Sequence, residues 1–298
     1  MCHNQNMEEP DIFRNYEKKG YLNTDFQMFY LSDKEPKEFE NHYHEFDKIT
    51  IFLRGKVTYI VEGKSYELEP YDIVLVGHHD IHKLYVDKST RYDRIIMYIS
   101  PEFLERYSSQ QYQLDECFQK AKREHANVLR IAKLSESKLY QVVMELKQTL
   151  DPGRSHEEYA RELYLRTVFL EFMVHLNRAA IGEKISYVNT NICNQKVVDI
   201  IDFINANLTE NLAIDFLAAH FYMSKYHMMR IFKEETGYSI GKYISNKRLL
   251  RAKEYIQEGM PITQACYTSG FKEHSTFSRA YKNLFGESPR EMRKKKFL

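Results

Sequence analysis

No run in this sequence approaches the roughly 18 consecutive apolar residues of a membrane span, so no membrane partner is expected. The start, "MCHNQNMEEP", lacks the basic and apolar stretches of a secretory signal, and cytoplasmic residence is expected. Cysteine is scarce: Cys2, Cys117, Cys193 and Cys266 are widely scattered and form no CxxC pair. That argues against a disulfide framework or a thiolate zinc site, and for plain thiols in a reducing compartment. Seven prolines and eleven glycines leave little room for long flexible linkers. There is no glycine-rich phosphate loop and no nucleophile–base motif, so no catalytic residue and no cofactor is assigned.

What is present describes a soluble globular protein, 43% hydrophobic and 29% charged. At 298 residues it has room for two ordinary domains. The net charge of +1 conceals an asymmetry: residues 192–298 hold 17 Lys and Arg against 11 Asp and Glu, a net +6, leaving −5 for residues 1–191. A basic C-terminal third on a mildly acidic body points to a polyanionic partner for that third.

Patterning divides the chain into three. Residues 26–99 read as β: "KVTYIVEGKSYEL" alternates Val57, Tyr59 and Val61 against Thr58, Ile60 and Glu62, then turns at Glu62-Gly63-Lys64. "IVLVG" and "RIIMYIS" add short strands, as a small barrel or sandwich requires. From Pro101 to about Ile181 the period becomes helical. "YARELYLRTVFLEFMVHL" (159–176) carries Leu163, Leu165, Val168, Phe169, Phe172, Met173 and Leu176, with Leu170 and Val174 widening the stripe. Such a helix is either wedged within its own chain or also packed on a second subunit. "GEKISYVNTN" (182–191) reads as a polar, aperiodic connector. The expected domains are therefore 1–100, 101–191 and 192–298.

The C-terminal third is helical and contains an internal repeat 49 residues apart, "RIFKEETG" (Arg230 to Gly237) and "RAYKNLFG" (Arg279 to Gly286). Before the first copy, Leu217, Ala218 and Phe221 form an apolar face and Ser224 is a good N-cap. The following helix packs Met228, Ile231 and Phe232 inward and leaves Tyr226, His227, Met229, Arg230 and Lys233 on other faces. Before the second copy, small Ala265 and Cys266 permit a close crossing, Gly270 supplies a turn and Phe271 plugs the core. A long helix (239–259) joins the two. A helix-turn-helix offers its second helix to the major groove, and two such units in register with matching basic positions favour DNA over a plain solvated bundle.

Residues 192–290 resemble the DNA-binding domain of AraC/XylS-family transcription regulators, most specifically in "GFKEHSTFSRAYKNLFGESP". Cys266 takes a slot usually held by Ala, and Glu273 stands where a better N-cap is common. The resemblance implies base readout by Tyr226, Met229 and Arg230 in the first unit and His274, Ser275 and Arg279 in the second. Lys233 and Lys282 are assigned to phosphates of double-stranded DNA, which position without reading sequence. "RKKK" (293–296) is read as a solvated tail.

In the same family the N-terminal part is often a cupin-like β-barrel that senses a small molecule, and residues 26–99 resemble it. The expected fold is thus multidomain α+β: a cupin-like β-barrel, a helical connector and dimerisation region, and an all-α double helix-turn-helix domain. A metal-binding cupin supplies His-x-His, a Glu about four residues on, and a later His. "HYHEFDKITIF" (42–52) provides His42 and His44, and "GHHDIH" (77–82) provides His82, but the carboxylate position holds Lys48. An ammonium cannot ligate unless deprotonated and repels a divalent cation. In a regular strand Glu45 and Asp47 face away from the even-numbered residues. His42, His44, Lys48 and His82 are therefore read as an effector pocket for an anionic or hydroxyl-rich ligand and no metal is assigned, with two other readings open: residues that hydrogen-bond one another or face solvent and bind nothing, and a retained metal site. The expected protein is a homodimeric, ligand-responsive DNA-binding regulator. Two alternatives stay open: a metal-dependent cupin-type enzyme, and a constitutive DNA binder whose barrel only dimerises.

Overall fold

The computed structural model describes residues 22, 24–34, 42–131, 136–150, 159–182, 185–188, 191–192 and 194–296. Cys2 and Cys193 lie outside the described residues. The chain divides into two compact units, residues 1–191 and 192–298.

The first unit begins with seven strands: β1 (Phe26–Asp33), β2 (Asp47–Arg54), β3 (Val57–Val61), β4 (Lys64–Glu67), β5 (Ile73–Val76), β6 (His82–Val86) and β7 (Tyr92–Ile99). Helices α1 (Pro101–Arg106) and α2 (Glu116–Arg123), strand β8 (Val128–Ile131), helices α3 (Lys138–Thr149) and α4 (Arg161–Ile181), and strand β9 (Ile185–Tyr187) follow. One antiparallel sheet runs β1-β7-β2-β5-β8-β9. In a second sheet β3 pairs with β4 and β6. The strands thus form separate sheets and not the expected closed barrel. The β3–β4 hairpin turns where the sequence predicts, Glu62 and Gly63 both adopting positive φ (47° and 78°) between the paired Val61 and Lys64. That is the backbone a two-residue hairpin loop needs to match strand twist.

Strand alternation builds three layers. Ile49, Ile51, Ile73, Leu75, Ile95, Met97 and Ile99 share one core with Phe103, Cys117, Val142, Phe169, Phe172 and Met173 of the four helices. Phe52, Val74, Val76 and Val128, from the opposite face, share a core with Val57, Tyr59, Val61, Tyr66 and Leu84 of the second sheet. Every residue from Asp47 to Phe52 is buried, as a sheet covered on both faces demands. Each large apolar side chain so placed contributes about 1.5–3 kcal/mol.

Two expectations need correction here. Residues 101–181 are not all helical, because β8 joins the first sheet beside β5. Nor is 182–191 aperiodic throughout, because β9 pairs with β8. Strands of four and three residues are too short to display a period, so only pairing reveals them. Arg130 on β8 fastens that edge, its guanidinium donating to both oxygens of the buried Asp72 at 2.9 and 2.6 Å.

From residue 195 on, the described residues of the second unit form helices: α5 (Gln195–Ala206), α6 (Ile214–His220), α7 (Lys225–Thr236), α8 (Ile240–Gln257), α9 (Ile262–Thr268), α10 (His274–Phe285) and α11 (Pro289–Lys296). Helix α8 buries Tyr243, Ile244, Leu249, Leu250 and Ile256. "RKKK" (293–296), read as a solvated tail, is the last turn of α11, where Lys294 is exposed. No helix among the described residues is long and apolar enough to cross a membrane.

Candidate functional site

The two repeated units are built alike from their caps inward. In the first, Ser224 accepts a bond from the His227 N–H, starting α7 as a side-chain oxygen at N-cap should. In the second, Glu273 occupies the N-cap of α10 and makes no capping bond. Both helices stop at a glycine with φ 75° and ψ −6°, and the Gly237 and Gly286 N–H groups donate 2.9 Å bonds to the Lys233 and Lys282 carbonyls. The Lys-to-Gly spacing of the repeat is therefore a left-handed helix stop, which glycine adopts without strain.

Between the caps, Met228, Ile231 and Phe232 of α7 are buried, as are Phe277 and Tyr281 of α10. Tyr226, Met229, Arg230, Lys233, His274, Ser275, Arg279 and Lys282 are all exposed. Arg279 has no hydrogen bond or ion pair to any described residue. Arg230 differs, because its Nη1 donates to both carboxylate oxygens of Glu234 at 3.0 and 3.2 Å. The sequence reading passed over Glu234, although its four-residue spacing from Arg230 was legible. Gly270 (φ +98°) makes the turn before α10, where a Cβ would stand 2.7 Å from the Leu208 carbonyl oxygen and 2.8 Å from Arg248 Nε.

In the first unit, the structure brings the three named histidines together. His42 forms an isolated antiparallel bridge to His82, and strand β2 begins only at Asp47. The strand is thus shorter than "HYHEFDKITIF" suggests, and residues 43–46 carry the chain from one sheet to the other. The ring centroids lie 4.9 Å (His42–His44), 4.3 Å (His42–His82) and 5.1 Å (His44–His82) apart. Lys48, buried, pairs with Val76 and Tyr98 in the first sheet, and its ammonium stands 6.0 Å from the Tyr98 ring centroid. By strand alternation it faces the second sheet, as Phe52 does.

His82 Nδ1 lies 3.1 Å from the Asp80 carbonyl, a contact that needs the proton on Nδ1 and leaves Nε2 as the lone-pair nitrogen. Neither ring nitrogen of His44 has a hydrogen-bond partner, nor does His82 Nε2. Burial, then the Lys48 charge and His42, hold His44 well below the ordinary imidazole range. Burial first and Lys48 second do the same to His82. Both rings are therefore neutral at neutral pH. Asp47 points elsewhere and accepts from both the His78 N–H and its Nδ1 at 2.8 Å. Part of "GHHDIH" is thus structural, since the His79 N–H also bonds the His44 carbonyl at 2.7 Å.

Sequence reasoning missed one neighbour of this cluster. Tyr59 is fully buried, with its ring parallel to that of His82 at 6.0 Å. In the sequence Tyr59 reads only as an apolar strand position, although its alternation with Val57 and Val61 places it inward.

Comparison with known proteins bears on both units. A family model described as a helix-turn-helix domain matches residues 217–295, and one described as an AraC-like ligand binding domain matches residues 27–169. The HTH-type transcriptional activator RhaS of Enterobacter sp. (strain 638) is 24% identical over 257 residues, covering 86% of this chain and 87% of RhaS. The multiple antibiotic resistance protein MarA of Escherichia coli (strain K12) is 33% identical over 95 residues, which are 32% of this chain and 75% of MarA. A solved structure of ToxT from Vibrio cholerae is 15% identical, with 91% of this chain and 98% of that one covered and a TM-score of 0.35. The two matched models in chain order, and MarA matched over three quarters of its length, lead to one conclusion: the chain belongs to the AraC family of DNA-binding transcription regulators, with an N-terminal ligand-binding domain.

Proposed function

We propose that this regulator reads DNA through Tyr226, Met229 and Arg230 on α7 and His274, Ser275 and Arg279 on α10. Lys233 and Lys282 hold the phosphate backbone. The observation that carries this reading is the shared construction of α7 and α10, which bury one stripe and expose all eight of these side chains. Such helices can lie in major grooves, and an exposed arginine offers a planar pair of donors to a guanine edge. The 192–298 unit is the DNA-binding part.

The small-molecule site is assigned to His42, His44, Lys48 and His82, between the two sheets of the first unit. A buried ammonium beside neutral imidazoles suits an anionic or hydroxyl-rich effector. A ligand acts by binding one arrangement of the regulator better than another. The protein is proposed to be cytoplasmic and not an enzyme. It is also proposed to work as a homodimer, a reading favoured by the exposure of Leu163 (64%) and Val174 (40%) on α4.

A second reading has one observation behind it. The ligand atoms of His42, His44 and His82 lie within 4.8 Å of one another, close enough to converge on a divalent metal. The Lys48 charge on the same face works against a cation, so the effector reading is preferred. Metal analysis of purified protein decides between them, and stoichiometric metal in the unmodified protein would overturn the effector assignment. DNA binding is tested by gel shift against the intergenic DNA upstream of the regulator's own gene, with and without candidate effectors. Failure to retard that DNA more than unrelated DNA would contradict the proposal.

A further inference from the structure

The two recognition helices share a framework but differ in charge. Helix α10 contains no Asp or Glu, whereas α7 ends in Glu234 and Glu235. In the 49-residue repeat these stand opposite Asn283 and Leu284. A carboxylate in the last turn faces the negative end of the helix dipole, an unfavourable position. An arginine four residues N-terminal to a glutamate is also the less stabilising order for a helical pair. Helix stability therefore does not account for Glu234. Its contacts do: Arg230 Nη1 bonds both of its oxygens, and Arg230 Nη2 lies 3.4 Å from His227 Nδ1. One end of the guanidinium is tied forward to Glu234 and the other back to His227, while Arg279 carries no such tether.

We propose that Glu234 is a positioning residue for base readout: it holds the Arg230 guanidinium in one orientation against the DNA, so the first helix-turn-helix discriminates sequence more sharply while binding DNA in general more weakly. The inference rests on Arg230 as a base reader. A tethered arginine loses less side-chain freedom on meeting its base, which favours the matching base over others. The same carboxylate repels nearby phosphates and lowers affinity for every sequence. Glu234 thus trades general attraction for selectivity, and the second helix-turn-helix, whose α10 lacks carboxylates, supplies the larger sequence-independent share.

The test uses the full-length protein, with binding-site selection from random DNA and affinity for unrelated duplex DNA measured for the unmodified protein, Glu234→Ala, Glu234→Gln, Arg230→Ala and the double variant Arg230→Ala/Glu234→Ala. Both Glu234 variants should bind unrelated DNA about two- to fivefold more tightly, because both lose the charge. Glu234→Ala should lose about three- to tenfold of the preference at the base position that Arg230→Ala relaxes. Glu234→Gln, which keeps an acceptor oxygen, should lose less. In the Arg230→Ala background, removing Glu234 should change no base preference. Tighter binding to unrelated DNA also shows that the helix remains folded. If Arg230→Ala relaxes no position, the base-reading assignment fails and the Glu234 proposal falls with it. If Arg230→Ala relaxes a position and Glu234→Ala does not, or if Glu234→Ala acts equally without Arg230, the positioning role alone is overturned.

Discussion

His42 and His82 exchange a pair of backbone hydrogen bonds, 3.1 and 2.9 Å long, and hold their rings 4.3 Å apart. One contact therefore ties the segment entering β2 to the start of β6, and places two imidazoles beside the buried Lys48. The clasp that closes this corner between the sheets is also the proposed ligand site.

This arrangement makes stability depend on pH. Unfolded, His44 and His82 titrate near 6.5, whereas burial keeps both well below that value in the fold. Below pH 6.5 the unfolded chain takes up protons that the folded chain does not, so stability falls as pH falls. Each histidine contributes a slope approaching about 1.4 kcal/mol per pH unit until its folded pKa is reached. Urea melts at pH 7.5, 6.5 and 5.5 should show a shallower loss for His44→Gln/His82→Gln than for the unmodified protein. Parallel slopes would contradict the neutral, buried assignment.

Two glycines with the same backbone angle should respond differently to a methyl group. Gly259 (φ +99°) has nothing within 4 Å of a built Cβ, whereas Gly270 (φ +98°) meets Leu208, Arg248 and Thr209. Gly259→Ala should cost about 1 kcal/mol from backbone strain alone. Gly270→Ala should cost about 2–4 kcal/mol, because the turn must also move. Thermal melts of the two variants check the difference, and equal losses would show that the close approach at Gly270 is relieved cheaply.

The uncapped start of α10 can be improved. Glu273→Ser should give the N-cap the acceptor that Ser224 supplies to α7, stabilising the second unit by about 0.5–1 kcal/mol. A chemical melt monitored by helical content measures it. A destabilised variant would mean that Glu273 stabilises this end through its charge and not as a cap.

The helical third was largely legible in the sequence, and the sandwich less so. Helix stops at Gly237 and Gly286, the N-cap at Ser224 and the turn at Gly270 are local signals, set by backbone angle and visible in a few residues. Long amphipathic stripes such as Val168 to Leu176 likewise state which face is buried. β8 and β9 gave no such signal, because their strand character comes from partners more than fifty residues away. The His42, His44 and His82 grouping is legible from spacing, but not from alternation along one strand, because β2 begins only at Asp47 and His42 bridges to His82 in the other sheet. Tyr59 carries no signal of belonging to it, since an inward tyrosine looks like an ordinary strand position until the second sheet is in place. The absence of a closed barrel was equally invisible, because strand order is a non-local property.

On the proposed function, α10 reads DNA sequence, with Arg279 contacting a base and Lys282 a phosphate. The most direct measurement is site selection from random DNA, combined with salt titration of binding, for the unmodified protein, Arg279→Ala and Lys282→Ala. Arg279→Ala should relax one base position, at a cost of about 1–3 kcal/mol on the preferred site. Lys282→Ala should weaken all sequences alike and flatten the salt dependence by close to one ion. A selected sequence that Arg279→Ala leaves unchanged, or a salt slope that Lys282→Ala leaves unchanged, would contradict the account.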